Sequence, residues 1–186
     1  MALIKTIEHH EATGRLKEIY DDLIQKRGKL AEVHKIQSLR PESIVKHIDL
    51  YMEIMFSKSE LSRAEREMMA VVTSVANKCQ YCQIHHSEAL NNYWKDDYRI
   101  VHLRSNYKKA QLSEKELLLC QFAENLTLKP YDFKEPEYVN KLKEIGLSDA
   151  AILDATLVVA YFNFVNRMVL GLGVILENNG GTGYKY

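Results

Sequence analysis

Apolar residues recur along this chain at intervals of three and four, and no segment alternates polar and apolar positions as a half-buried strand would. From Glu11 to Gln25, Leu16, Ile19, Tyr20 and Leu23 fall on one side and charges on the other, until Arg27-Gly28 ends the pattern. Pro41 sits where a first-turn proline fits, and Ile44, Ile48, Tyr51, Met52 and Met55 then repeat at helical spacing. Ser62, with Glu65 three residues on, forms a capping-box pattern for a helix that would bury Leu61, Ala64, Met68, Val71 and Val75. Ser113 and Glu116 repeat that pattern ahead of a helix running to about Leu126. Lys129-Pro130-Tyr131-Asp132 reads as a turn. Pro136 is placed to open a short helix stopped by Gly146, and Ser148 to cap a last long one up to Leu176. The expectation is an all-α chain.

Residues 1–176 read as a single helical domain and residues 177–186 as a glycine-rich tail, too rich in glycine for a helix, either loose or packed on a neighbouring subunit. Sliding the chain by 86 residues aligns Leu61-Ser62 with Leu147-Ser148, Ala64 with Ala150, Val72 with Val158 and Asn77 with Asn163. This weak similarity points to two degenerate copies of one helical unit. Only the first carries thiols: Val165 and Met168 stand where Cys79 and Cys82 do, and Leu153 stands at Glu67.

A chain of 186 residues can bury a real core in one domain. Its 25 basic and 25 acidic residues cancel, so net charge points to no particular partner. No Lys/Arg cluster with interleaved aromatics marks nucleic-acid binding. The N-terminal Met1-Ala2-Leu3-Ile4-Lys5-Thr6 is too short and too polar afterwards for a secretory signal, which gives an expectation of a cytoplasmic protein. Ala155 to Asn166 is an uncharged run of only 12 residues before Arg167, so a buried helix is expected there and not a membrane span. Three cysteines are an odd number for a disulfide framework, and in a reducing compartment a Cys-x-x-Cys reads as catalytic or metal-binding.

The chemistry concentrates in Cys79-Gln80-Tyr81-Cys82-Gln83-Ile84-His85-His86. On one helix Cys82 turns about 60° from Cys79, and His86 about 40° from Cys82, so all three share a face; His85 points about 100° away from His86. His86 is the natural base for Cys82, because side chains at i and i+4 meet. Asn77-Lys78 interrupts the apolar run, and Asn77 suits the N-cap of a new helix. A bend there would bring Glu67 toward the thiols and place Cys79 in a first turn, where the dipole favours thiolate. Each cysteine thus has an activator, and spacing does not choose between them. Nor does periodicity favour Glu67 over Glu65. The rival readings are two small buried hydrophobes, or a zinc site of Cys79, Cys82 and His86, for which no fourth ligand is evident. Cys120 reads as core. Arg167, a lone charge in an apolar helix, is expected to pair with a buried acid or to seal a subunit contact.

Glu67, eleven intervening residues, Cys79-x-x-Cys82, three more residues and His86 resemble the signature of the AhpD-like alkylhydroperoxidases, within the carboxymuconolactone decarboxylase superfamily. The "peroxidase-related" branch is the most similar. The likeness is carried by Leu61 to Leu90, and more weakly by Asn163-Phe164-Val165-Asn166-Arg167. It implies an all-helical fold assembled as a trimer or hexamer and a thiol peroxidase cycle with no cofactor and no metal. In that cycle Cys82 attacks the peroxide and becomes a sulfenic acid, Cys79 resolves it to a disulfide, and His86 and Glu67 relay the proton. A dithiol or lipoyl-type donor then restores the thiols. Where AhpD commonly has histidine before the second cysteine, this chain has Tyr81. From other classes, a redox sensor whose disulfide alters assembly and a lactone decarboxylase are the alternatives; the latter chemistry has no evident need for a thiol pair.

Overall fold

The computed structural model describes residues 2–134, 136–177 and 180. Among them run nine α-helices: α1 (Gly14–Arg27), α2 (Glu32–Lys35), α3 (Pro41–Phe56), α4 (Arg63–Ala76), α5 (Gln80–Trp94), α6 (Asp97–Asn106), α7 (Glu114–Leu128), α8 (Glu137–Glu144) and α9 (Asp149–Leu172). Short 3-10 turns follow α6 and α7, and no strand occurs among the described residues.

Helix α4 is the axle of the bundle. It packs on α5, α7 and α9, and α3 and α6 also touch it. Met68, Met69, Ala70 and Val71 are wholly buried on it, because neighbours cover it on nearly every side. Ser62 forms the expected capping box with Glu65: its hydroxyl accepts from the Glu65 N–H, and the Glu65 carboxylate accepts from the Ser62 N–H at 2.7 Å. Ser113 and Glu116 do the same for α7. Gly28 closes α1 in the left-handed conformation at φ 84°, which glycine adopts without a Cβ clash. Helices α1 and α3 enclose a satellite cluster of Leu16, Ile19, Tyr20, Leu23 and Ile44, and α3 docks on α9.

Several sequence-based boundaries shift. Helix α9 ends at Leu172, four residues before the expected Leu176, where Gly173 turns left-handed. Helices α2 and α6 carry no strong apolar period and are not anticipated by the pattern. Arg167 is exposed, and its guanidinium bonds the backbone and side-chain oxygens of Asn163, with no buried acid as its partner among the described residues. Helix α9 is long and apolar enough to cross a membrane by length and composition. In this fold it instead lies against α3, α4, α7 and α8 with Asn166 wholly buried. The two segments aligned by the 86-residue offset begin alike, Ser62 and Ser148 both acting as N-caps, and their matched Asn77 and Asn163 side chains bond each other at 3.0 Å. They then diverge: α4 stops and turns into α5, while α9 runs straight on. Of the tail, residues 178, 179 and 181–186 lie outside the described residues, but Glu177 is fastened to the helical body.

Candidate redox site

The thiols sit at the α4–α5 turn. Asn77 is the C-cap of α4 and not the expected N-cap of α5; its side chain reaches Thr73, Asn163 and Asn166 instead. Lys78 takes a left-handed φ of 57° to reverse the chain. Cys79 then occupies the N-cap of α5, one position earlier than the first turn expected for it. The consequence for its sulfur is the same, since the helix start favours negative charge. The Cys79 thiol is held below its ordinary value, chiefly by its hydrogen bond with the Cys82 thiol and further by the Cys82 backbone N–H, against the opposing effect of burial. The Cys82 thiol is pushed well up, by that same bond with Cys79, by burial and by the negative sulfur beside it. Asn166 offsets part of this through a hydrogen bond to Cys82. The three cysteines are free, and both sulfurs of the pair are buried.

Glu67 is wholly buried, so it is no solvated first-turn charge. Its two oxygens are divided: Oε1 takes the Arg63 guanidinium, one turn earlier on α4, and Oε2 takes His86 Nδ1 at 2.6 Å. Arg63 is itself fixed by the Met55 carbonyl at 2.7 Å and the Tyr51 hydroxyl at 3.1 Å. Nδ1 is engaged by Glu67, and the Phe162 ring meets the imidazole edge-on at 4.4 Å. The structure therefore brings Glu67 and His86 into contact, joins Cys79 to Cys82, and places Cys82 and His86 on the wall of one cavity of about 90 Å³. Cys79 does not reach that wall. Most of the lining is apolar or aromatic, with Tyr51, Tyr161 and Phe162 prominent.

Three residues around the thiols and the cavity escape a reading of the sequence. Arg63 pairs with the Glu67 carboxylate, and its i, i+4 spacing to Glu67 was the available signal. Asn166, wholly buried, donates to Ser74 Oγ at 3.2 Å and reaches Cys82; a polar residue inside an apolar helix was the clue. Glu177, from the tail, accepts from the Tyr81 hydroxyl at 2.8 Å and the Glu32 N–H at 3.0 Å, and meets His85 Nε2 at 2.8 Å. Burial opposes its charge, but His85 and the backbone donor outweigh that and hold its carboxyl far below the usual range. Tyr81 and His85, both on the cavity wall, are thus engaged by Glu177. Cys120 is core, its thiol pushed well up by burial and by Glu116 and Glu124. Among the described residues no group of three or more His, Cys, Asp or Glu is arranged to hold a metal ion.

Fold and site together define an all-helical protein with a buried dithiol at a helix start, opening on an apolar cavity. Residues 44–106, from α3 through α6, match the model of the carboxymuconolactone decarboxylase family. No curated protein matches the chain. Among solved structures, the AhpD-core peroxidase-related protein of Ralstonia eutropha JMP134 superimposes with a TM-score of 0.86 at 23% identity, covering 97% of this chain and 94% of that one. A peroxidase-related protein of Silicibacter sp. TM1040 gives 0.84 at 26% identity, covering 95% and 94%. The debrominase Bmp8 gives 0.78 at 19% identity, covering 95% and 92%; a cysteine-to-alanine variant of it is known in complex with 2,3,4-tribromopyrrole. The chain has the fold of these AhpD-like structures, and its match to the carboxymuconolactone decarboxylase family lies in residues 44–106.

Proposed function

We propose that this protein is a cytoplasmic thiol peroxidase that reduces a hydroperoxide with the Cys79/Cys82 dithiol. One observation carries the reading: Cys82 faces a cavity together with an imidazole fixed by a buried carboxylate, while its partner sulfur waits behind it at a helix start. Of the two sulfurs Cys79 gives up its proton more readily and Cys82 holds its own more tightly. For Cys82 to attack, that proton passes to Cys79 or to His86, whose imidazolium Glu67 stabilises. The Cys82 sulfur then takes the terminal oxygen of ROOH, the O–O bond breaks, and RO⁻ leaves as ROH with the relayed proton. Cys79, as thiolate, attacks the Cys82 sulfenic acid, hydroxide departs as water with a second proton, and a disulfide forms. An external dithiol or lipoyl-type donor returns two electrons and two protons. Assembly as a trimer or hexamer belongs to the same proposal.

Peroxide consumption with a dithiol reductant tests it. Wild-type protein should turn over, Cys82→Ser should not, and a dimedone-type reagent should trap the sulfenic acid on Cys82 in Cys79→Ser. Turnover surviving in Cys82→Ser would refute the assignment; a single oxidation without cycling would favour a sensor. The aromatic lining favours one second reading, reductive dehalogenation of a small arene, in which ArBr and two thiols give ArH, disulfide and HBr. Bromide release without peroxide turnover would select it.

A further inference from the structure

A second, larger recess of about 540 Å³ lies between α1 and α3, and Leu23, Arg27 and Ile48 line both it and the cavity that holds Cys82. The charges around the outer recess are otherwise paired. Arg15 meets Glu42 at 2.7 Å and Glu18 at 3.4 Å, Lys26 meets Asp22 at 2.9 Å, and Asp49 meets Lys46 at 3.5 Å. Arg27 is the exception among the described residues: its guanidinium has a Met52 sulfur at 3.7 Å and the Tyr51 ring at 5.4 Å, and no carboxylate. A cation in the last turn of α1 suits the helix dipole, but Lys26 beside it does that from solvent. The dipole does not account for Arg27 lining a cavity. The inner wall adds a second unfilled position, since His34 Nδ1 is buried and has no hydrogen-bond partner. Burial pushes the His34 imidazole down to about 3, and the His47 and Arg27 charges add to this. His47 is lowered to about 4 by burial. With both imidazoles neutral, Arg27 gives this wall a permanent positive charge.

We propose that the substrate of this site is a small anionic amphiphile, a hydroperoxide whose carboxylate pairs with Arg27 while its branched apolar body fills the cavity in front of Cys82. The inference rests on the peroxidase reading for the hydroperoxide, but the anion site stands on geometry alone. A benzene-sized ligand fills an apolar cavity of about 150 Å³, so 90 Å³ suits a body of about four carbons. The recess between α1 and α3 is the route by which the charged end stays near water.

Binding is tested on the reduced full-length protein by NMR titration with 4-methylpentanoate and its neutral counterpart 4-methylpentan-1-ol. Wild-type protein should bind the acid about tenfold or more tightly than the alcohol, as a charge-assisted pair would give. Arg27→Gln should reduce that ratio to about one, Arg27→Lys should keep most of it, and added salt should weaken it. Equal affinities in the wild type, a preference surviving in Arg27→Gln, or no binding of either ligand would overturn the proposal. Turnover of 4-hydroperoxy-4-methylpentanoate and tert-pentyl hydroperoxide is measured separately. An intact acid preference with neither peroxide consumed would sink the peroxidase reading and leave the anion site standing.

Discussion

Acid should destabilise this fold through His47, and the size of the effect follows from its surroundings. His47 is 6% exposed on α3. Its Nε2 meets the Tyr161 hydroxyl at 2.6 Å and its Nδ1 meets Gln37 Nε2 at 2.7 Å, while the rings of His34, Tyr161 and Phe164 surround it. Burial lowers its pKa from 6.5 to about 4. The native state therefore refuses a proton that the unfolded chain accepts, so the stabilisation is complete above about 6.5 and drains away as pH falls toward 4. Between pH 8 and pH 5 the linkage integral for that shift is about 2 kcal/mol. That is a large part of a total stability of about 5–15 kcal/mol. Urea unfolding of wild type and His47→Gln at pH 8, 7, 6 and 5 checks it. At pH 8 the variant should be about 1 kcal/mol less stable, for loss of the Tyr161 hydrogen bond. Wild type should lose about 2 kcal/mol more than the variant between pH 8 and pH 5. Parallel pH profiles would show that His47 accepts its proton in the native state, and the reasoning from burial would be wrong.

Other outcomes follow from the same geometry. Thiolate absorbance should show one sulfur titrating below the ordinary 9.0, lost in Cys79→Ser and shifted upward in Cys82→Ser, which removes the thiol that stabilises it. Because Cys79 is placed to accept the proton from Cys82, Cys79→Ser should slow the first oxidation roughly tenfold or more in single-turnover stopped flow; an unchanged rate would reduce Cys79 to a resolving role. Glu67→Gln leaves the Arg63 guanidinium and His86 without their shared buried carboxylate and should destabilise the protein by about 3 kcal/mol while lowering kcat; a change in neither would mean that the pair is idle. Ser62→Ala removes the α4 cap and should lower stability by about 1 kcal/mol, a fall in Tm of about 2–4 °C, without altering peroxide KM.

Helix ends were legible where a side chain bonds its own backbone. Ser62, Ser113 and Ser148 announce α4, α7 and α9 because a cap is a contact within four residues. Asn77 misled for the same local reason: its amide suits a cap, but the structure sends it across to Asn163 and Asn166 on α9, and Cys79 takes the position. Glu67 and Glu65 could not be ranked by periodicity. Both lie beside the apolar stripe, and only the packing of α5 over α4 buries Glu67 against His86 while Glu65 turns back to its cap. The left-handed Lys78 that permits this carries no glycine to advertise it.

The order of apolar and capping residues along the chain was enough to determine a helical protein, and the short-range spacing from Cys79 to His86 was enough to place two thiols and an imidazole on one face. Those properties come from interactions between residues a few positions apart, which a sequence displays directly. Which carboxylate steadies the imidazole, which sulfur meets the cavity, and which cation stands unpaired at its mouth were decided by the meeting of α1, α3, α4, α5 and α9. Such contacts join residues far apart in the chain, and burial there sets both charge state and access, so no local pattern encodes them.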